Sequence, residues 1–348
     1  MTALRIGFLP LSDVAPLAAA VDFGFATAEG VSIELHKDVS WANLRDRLLV
    51  GQLDAAHMLG ALAISTSLGI GQRRFPLRAP MLLSRGGNAI TLGSRVAEEL
   101  LAIDPQALAD WRTTARTLAR ALAVRRAQGK PRMVFGTVFP FSIHTYLLRR
   151  FFAAGKIDLD GDIEIVVTPP PYTVEQTNRG LIDGFCVGSP WSSLAVESGT
   201  GVIAALGSEI LGDAPDKALA VSAASPLLET RDGEALIRAI VKASAWASQP
   251  ANRDELAFAL ARSGRIGCSV EMVRRTLDGE AILDQAGRRR ALQRPAIDPV
   301  DYHRPRAESA DWLFDEMIAA GQVKDNPQLR QEARAVFAAG IYERAVAN

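Results

Sequence analysis

The 348-residue sequence predicts an α/β protein of two lobes with a helical C-terminal region. Three observations carry that expectation. Short apolar runs alternate with helical patterns from Leu4 to about Leu206. From about Glu234 onward the pattern is almost wholly helical. At roughly 150 residues per domain, the length leaves room for two.

The elements follow in order. Leu4–Leu9 reads as a buried strand, and Ser12-Asp13 as the cap of a helix over Ala15–Phe23 with Pro16 in its first turn. Val31–Leu35 is the next strand. Ser40 or Trp41 opens a helix to Val50 that Gly51 ends. Asp54–Leu59 is a short strand, and Ala61–Leu68 a small-residue helix ended by Gly69. Pro80–Ser84 and Asn88–Leu92 are strands flanking a bend at Gly86-Gly87. This β-α-β-α-β order predicts a mostly parallel sheet covered by helices. A second unit begins near residue 95, with a helix over Pro105–Ala127, a strand at Arg132–Val138, a helix at Ser142–Ala154 and a strand at Ile163–Thr168. Pro169–Pro171 stop that strand. A helix from Tyr172, a strand at Gly184–Val187, a helix at Trp191–Glu197 and a strand at Val202–Leu206 complete the unit. Arg288–Pro305, with three prolines and many arginines, reads as a surface loop, and Arg288–Arg290 as a solvated face.

Composition narrows the function. Apolar residues make up 48% of the chain, enough for a sizeable core. Lys+Arg and Asp+Glu are both 39, which argues against a broad electrostatic grip on nucleic acid or an anionic membrane. No run of about 18 apolar residues marks a membrane span. Met1–Pro10 shows no basic stretch, long apolar run or small-residue cleavage site, so the expected compartment is the cytoplasm. Cys186 and Cys268 read as buried thiols, and the four histidines form no metal-ligating pair. There is no nucleophile elbow, phosphate-binding loop or dinucleotide fingerprint, so neither an enzyme nor a cofactor is expected.

What remains is a set of polar residues where helices start. Trp41 and Asn43 open one helix, Asn88 follows two glycines, and His144 lies in the first turn of another helix. Lys217 stands just before an apolar segment. Free N–H groups and the partial positive charge of a helix start suit a small anion, to which a lysine adds a full charge. His57, inside an apolar strand, reads as a structural histidine.

Several motifs share one pattern: Ser40-Trp41-Ala42-Asn43-Leu44-Arg45-Asp46, then Leu53-Asp54-Ala55-Ala56-His57-Met58-Leu59, Gly87-Asn88-Ala89-Ile90-Thr91-Leu92, Pro169-Pro170-Pro171, Asp183-Gly184-Phe185-Cys186-Val187-Gly188 with Pro190-Trp191, and Pro215-Asp216-Lys217-Ala218-Leu219. Their order and spacing resemble the nitrate- and bicarbonate-binding protein family of bacterial ABC importers, and most closely its leaderless branch of cytoplasmic nitrate and nitrite sensors. The resemblance implies a type II periplasmic-binding-protein-like clamshell. In it, residues 1–93 and 213–348 form the first lobe and 94–212 the second. It also implies a nitrate site at Trp41, Asn88, His144 and Lys217, with Lys217 as the lone ammonium that offsets the anion and favours nitrate over bicarbonate. The implied partner is an RNA-binding antiterminator of nitrate assimilation genes, with no direct contact to nucleic acid or membrane. The alternative is the solute-binding component of a nitrate or bicarbonate importer. Two positions depart from the family pattern, Ser189 in place of Glu and Val14 in place of Cys.

Overall fold

The computed structural model describes residues 3–262, 264–292, 297 and 300–347. Its strands, in chain order, are β1 (Leu4–Phe8), β2 (Ile33–Lys37), β3 (Ala55–Leu59), β4 (Leu77–Arg85), β5 (Asn88–Gly93), β6 (Met133–Thr137), β7 (Ile163–Val167), β8 (Gly184–Gly188), β9 (Gly201–Leu206), β10 (Pro215–Ser222), β11 (Glu280–Ile282) and β12 (Arg289–Ala291). The chain forms two compact units. One comprises Met1–Arg85, Ala214–Asp278 and Pro295–Asn348, the other Gly86–Asp213 and Gly279–Arg294.

The first unit is built on a five-stranded sheet of order β2-β1-β3-β10-β4. β1 pairs in parallel with β2 and β3, while β10 runs antiparallel to β3 and β4. The sheet is therefore mixed and not mostly parallel, because β10 arrives from the far end of the chain and not through a β-α-β crossover. Helix Ala15–Asp22 lays a nearly continuous alanine surface on helix Arg231–Ala247. Ile6, Phe8, Leu219, Ile237, Ile240 and Tyr342 belong to the core that forms around them. Close approach also needs Gly7 in β1. A Cβ there would stand 2.4 Å from Leu44 and 2.5 Å from Leu53, so its absence lets helix Trp41–Leu49 settle on the sheet.

The second unit repeats the plan with order β7-β6-β8-β5-β9. β6 is parallel to β7 and β8, and β5 is antiparallel to β8 and β9. β5 thus belongs to the second sheet, although the sequence pattern groups it with the N-terminal strands. Ladder pairing decides this: the bend at Gly86 and Gly87, both at positive φ, turns the chain out of β4 before β5 begins. The pattern extends one helix back to Pro105, but the structure starts it at Trp111. Residues 105–110 are turns and bends, and Asp110, itself in extended conformation, caps the helix there, its carboxylate accepting from the N–H groups of Arg112 and Thr113 at 2.9 and 3.0 Å. The helix Ser94–Ile103 precedes it and was not legible as an element.

Arg288–Pro305 is not one loop. Residues 293–296, 298 and 299 lie outside the described residues; among the others, β12 pairs with β11 and Val300–His303 forms a single 3₁₀ turn. Arg288 donates to Asp284 and to the carbonyl of Leu108, and Arg290 pairs with Glu209. Two of the three arginines read as a solvated face therefore hold the hairpin to the second unit. Ala281 and Leu283 are buried with Ile203 and Leu206 beneath them. Cys186 is buried, Cys268 is only half-buried, and neither is in a disulfide. No helix among the described residues is long and apolar enough to cross a membrane.

Candidate functional site

Lys217 leads the site in the first unit. It lies in β10, opposite Leu59 of β3 and Ser84 of β4, and its side chain is 0% exposed. A buried ammonium needs compensation, and this one has two carboxylates. Nζ donates to Asp216 Oδ2 at 2.5 Å and lies 3.2 Å from Asp13 Oδ2. Neighbours along a strand point to opposite faces, so adjacent Asp216 and Lys217 would not meet in a regular strand. Here the register of β10 against β4 shifts on both sides of Lys217, and this irregularity lets the two side chains meet.

Asp13 is the hub. Ser12-Asp13 does not cap the following helix. Ser12–Val14 is a 3₁₀ turn, and Val14, the residue before the helix, makes no side-chain cap. Asp13 Oδ2 receives Ser84 Oγ at 3.3 Å, and Oδ1 stands 3.3 Å from His57 Nε2. Burial works against the charge on Asp13, but Lys217 and His57 outweigh it and hold the carboxyl well below the ordinary carboxylate range. Burial likewise opposes the charge on Lys217, and Asp13 and Asp216 outweigh it, keeping the ammonium above the usual lysine value. The expectation of a lone ammonium is corrected: Lys217 carries its counter-charges with it.

Trp41 completes this group. Ser40, in extended conformation, accepts from the Asn43 N–H and so makes Trp41 the first helical residue. The indole is 1% exposed, its ring 5.6 Å from Lys217 Nζ and 6.1 Å from the His57 ring. Trp41 Nε1 and His57 Nδ1 are buried and have no hydrogen-bond partner among the described residues. Asn43, the other polar residue of this helix start, gives its backbone N–H to the cap.

The structure thus brings Trp41 and Lys217 together. Asn88 and His144 belong to the second unit. Asn88 opens β5 opposite Gly188, and His144 sits in the first turn of helix Ile143–Ala154, whose cap is Ser142. Both are buried, at 3% and 0% exposure. Asp13, His57, Ser84 and Asp216 were missed. For Asp13 the one available signal is its place just after a parallel strand, the end of an α/β sheet where ligands gather. For His57 it is strand period: it lies two residues from Leu59, on the face that carries Lys217. No group of three or more histidines, cysteines or carboxylates among the described residues could hold a metal ion.

A model of the NMT1-like family matches residues 1–261. The chain belongs to the NMT1-like family. Relatives include the nitrate import ATP-binding protein NrtC of Synechocystis sp., 33% identical over 272 residues that are 78% of this chain and 38% of that protein. The nitrate/nitrite binding protein NrtA of Synechococcus elongatus is 30% identical over 288 residues, 80% of this chain and 62% of that one. The chain spans less than two thirds of either relative. The solved structure of the periplasmic nitrate-binding protein NrtA from Synechocystis superposes with a TM-score of 0.89, covering 100% of this chain and 89% of that one at 23% identity. The family member described here accordingly has the periplasmic-binding-protein fold, as the motif resemblance implied.

Proposed function

We propose that this chain binds a small inorganic oxyanion, nitrate or nitrite, at Lys217. The observation that carries the reading is a fully buried ammonium, held by Asp13 and Asp216, 5.6 Å from the ring of an indole whose N–H has no partner among the described residues: two donors out of bulk water. Relatives named for nitrate import and nitrate/nitrite binding support it. Asn88 and His144 are proposed as further donors. Nitrate has four heavy atoms, and at about −1.5 kcal/mol per atom its affinity falls near tens of micromolar. Calorimetric titration with nitrate, nitrite and bicarbonate, with and without calcium, tests this. The expected result is saturable heat for nitrate or nitrite, lost in Lys217→Gln. No heat at millimolar anion overturns the reading.

We carry the cytoplasmic sensor role as the accompanying proposal: occupancy by the anion would be read by an RNA-binding antiterminator. Its support is the motif resemblance. Pull-down of that partner with and without saturating nitrate tests it, and an unchanged yield overturns it. The names of the importer relatives favour a second role, solute capture for an ABC importer. Fractionation of cells producing the natural gene product separates the two, since the sensor belongs in the cytoplasm and the importer's receptor outside it.

A further inference from the structure

Asp13 divides its two oxygens between an ammonium and an imidazole, Oδ2 toward Lys217 at 3.2 Å and Oδ1 toward His57 at 3.3 Å. His57 is 0% exposed, and its Nε2 stands at ion-pair distance from Asp13 Oδ1, 3.3 Å away. Asp13, from the turn after β1, and the uncharged Trp41 stand against its ring; Asp13 in turn holds Lys217 and Ser84, and Lys217 holds Asp216. An anion that reaches Lys217 must share the ammonium with Asp13. Each negative charge brought into such a desolvated place needs a positive one beside it. Of these groups, the imidazole is the one that becomes a cation by taking up a proton.

We infer that anion binding is coupled to proton uptake at His57. The inference rests on the anion-binding reading above. As the anion draws Lys217 toward itself, the Asp13 carboxylate turns to an imidazolium formed by one proton from solvent on His57. The entering negative charge is thereby matched: one N–H bond forms on the imidazole, and the hydronium ion or buffer acid that gives the proton loses it. Asp13 is a positioning residue in this scheme: it holds the histidine and competes with the anion for the lysine.

The test is nitrate calorimetry in buffers of different ionisation enthalpy, such as phosphate and Tris, repeated across pH. The expected result is a binding heat that varies with buffer, corresponding to up to one proton per nitrate, and an affinity that falls by up to about tenfold per pH unit on the alkaline side. His57→Gln should bind with buffer-independent heat and a flat pH profile. Asp13→Asn, which keeps the imidazole, should also lose proton uptake and should bind nitrate more tightly, because the competing carboxylate is gone. Nitrate heat in the wild type that is the same in every buffer overturns this inference alone, as does proton uptake that persists in both variants. Absence of nitrate heat overturns the anion-binding reading and this inference with it.

Discussion

Lys217 is stable as a buried cation because two acids share it, and that arrangement sets what its loss does. Lys217→Met leaves Asp216 buried and Asp13 half-buried without their ammonium, so it is expected to lower unfolding stability by about 3–5 kcal/mol, read by urea denaturation. The two ends of the pH scale should behave differently. Asp13 is shifted down, so its contribution is complete above the ordinary value of 3.8 and is lost as pH falls toward its lower folded value. Lys217 is shifted up, so its contribution is complete below 10.5 and is lost as pH climbs through its higher folded value. The ion cluster is therefore expected to survive mild acid and mild alkali. His303 is the weaker point. It is buried, its Nδ1 donating to the carbonyl of Leu82 at 2.8 Å and its Nε2 accepting from the Ser244 hydroxyl at 2.7 Å, a pairing that suits the neutral ring. Burial pushes its pKa below 6.5, more than its hydrogen bond to Leu82 raises it. Unfolding releases a ring that binds protons more readily, so stability is full above 6.5 and falls as pH drops below it. Melting temperature measured from pH 7 downward should show this slope in the wild type and a shallower one in His303→Gln.

Among the elements, two local contacts decide more than their surroundings suggest. Asp110 holds the first turn of helix Trp111–Ala127 through two backbone N–H groups and the Thr113 hydroxyl at 2.6 Å. Asp110→Ala is expected to cost about 0.5–2 kcal/mol, measured by chemical denaturation. Gly233 lies in the first turn of helix Arg231–Ala247, where a Cβ would come within 1.8 Å of the backbone oxygen of Leu227. Backbone cannot swing aside as a side-chain tip does, so Gly233→Ala should cost about 3 kcal/mol or more and shift the helix off its alanine neighbour; loss of melting temperature would register it. Capping chemistry was legible where it is local: Ser40, Ser142 and Gly155 stand where the pattern puts them. It misled at Ser12-Asp13, because an acidic residue ahead of a helix looks the same whether it caps the helix or turns to a distant lysine.

At the scale of the whole molecule, the chain passes four times between its two units, and the last excursion, Gly279–Arg294, gives the second unit an outer hairpin. β9 is the last strand of its sheet, and the backbone N–H of Ile203 donates to the Leu283 carbonyl at 2.8 Å. The hairpin thus covers an edge that would otherwise offer unpaired N–H and C=O groups. Replacing residues 280–291 with a short flexible linker should uncover both that edge and the apolar patch under Ala281 and Leu283. Concentration-dependent association in size-exclusion chromatography is the expected outcome, and a strictly monodisperse variant would refute the role.

The sequence by itself determined the α/β class, most strand and helix positions, and the types of residue able to meet an anion, because periodicity, caps and turn residues act over a few neighbours. Only the tertiary structure decided that β5 joins the second sheet, that β10 runs against its neighbours, and that Lys217 has Asp13 and Asp216 as counter-charges with His57 behind them. Those outcomes depend on ladder pairing and desolvation between residues as much as two hundred positions apart, and charge compensation at such a distance leaves no mark on local pattern.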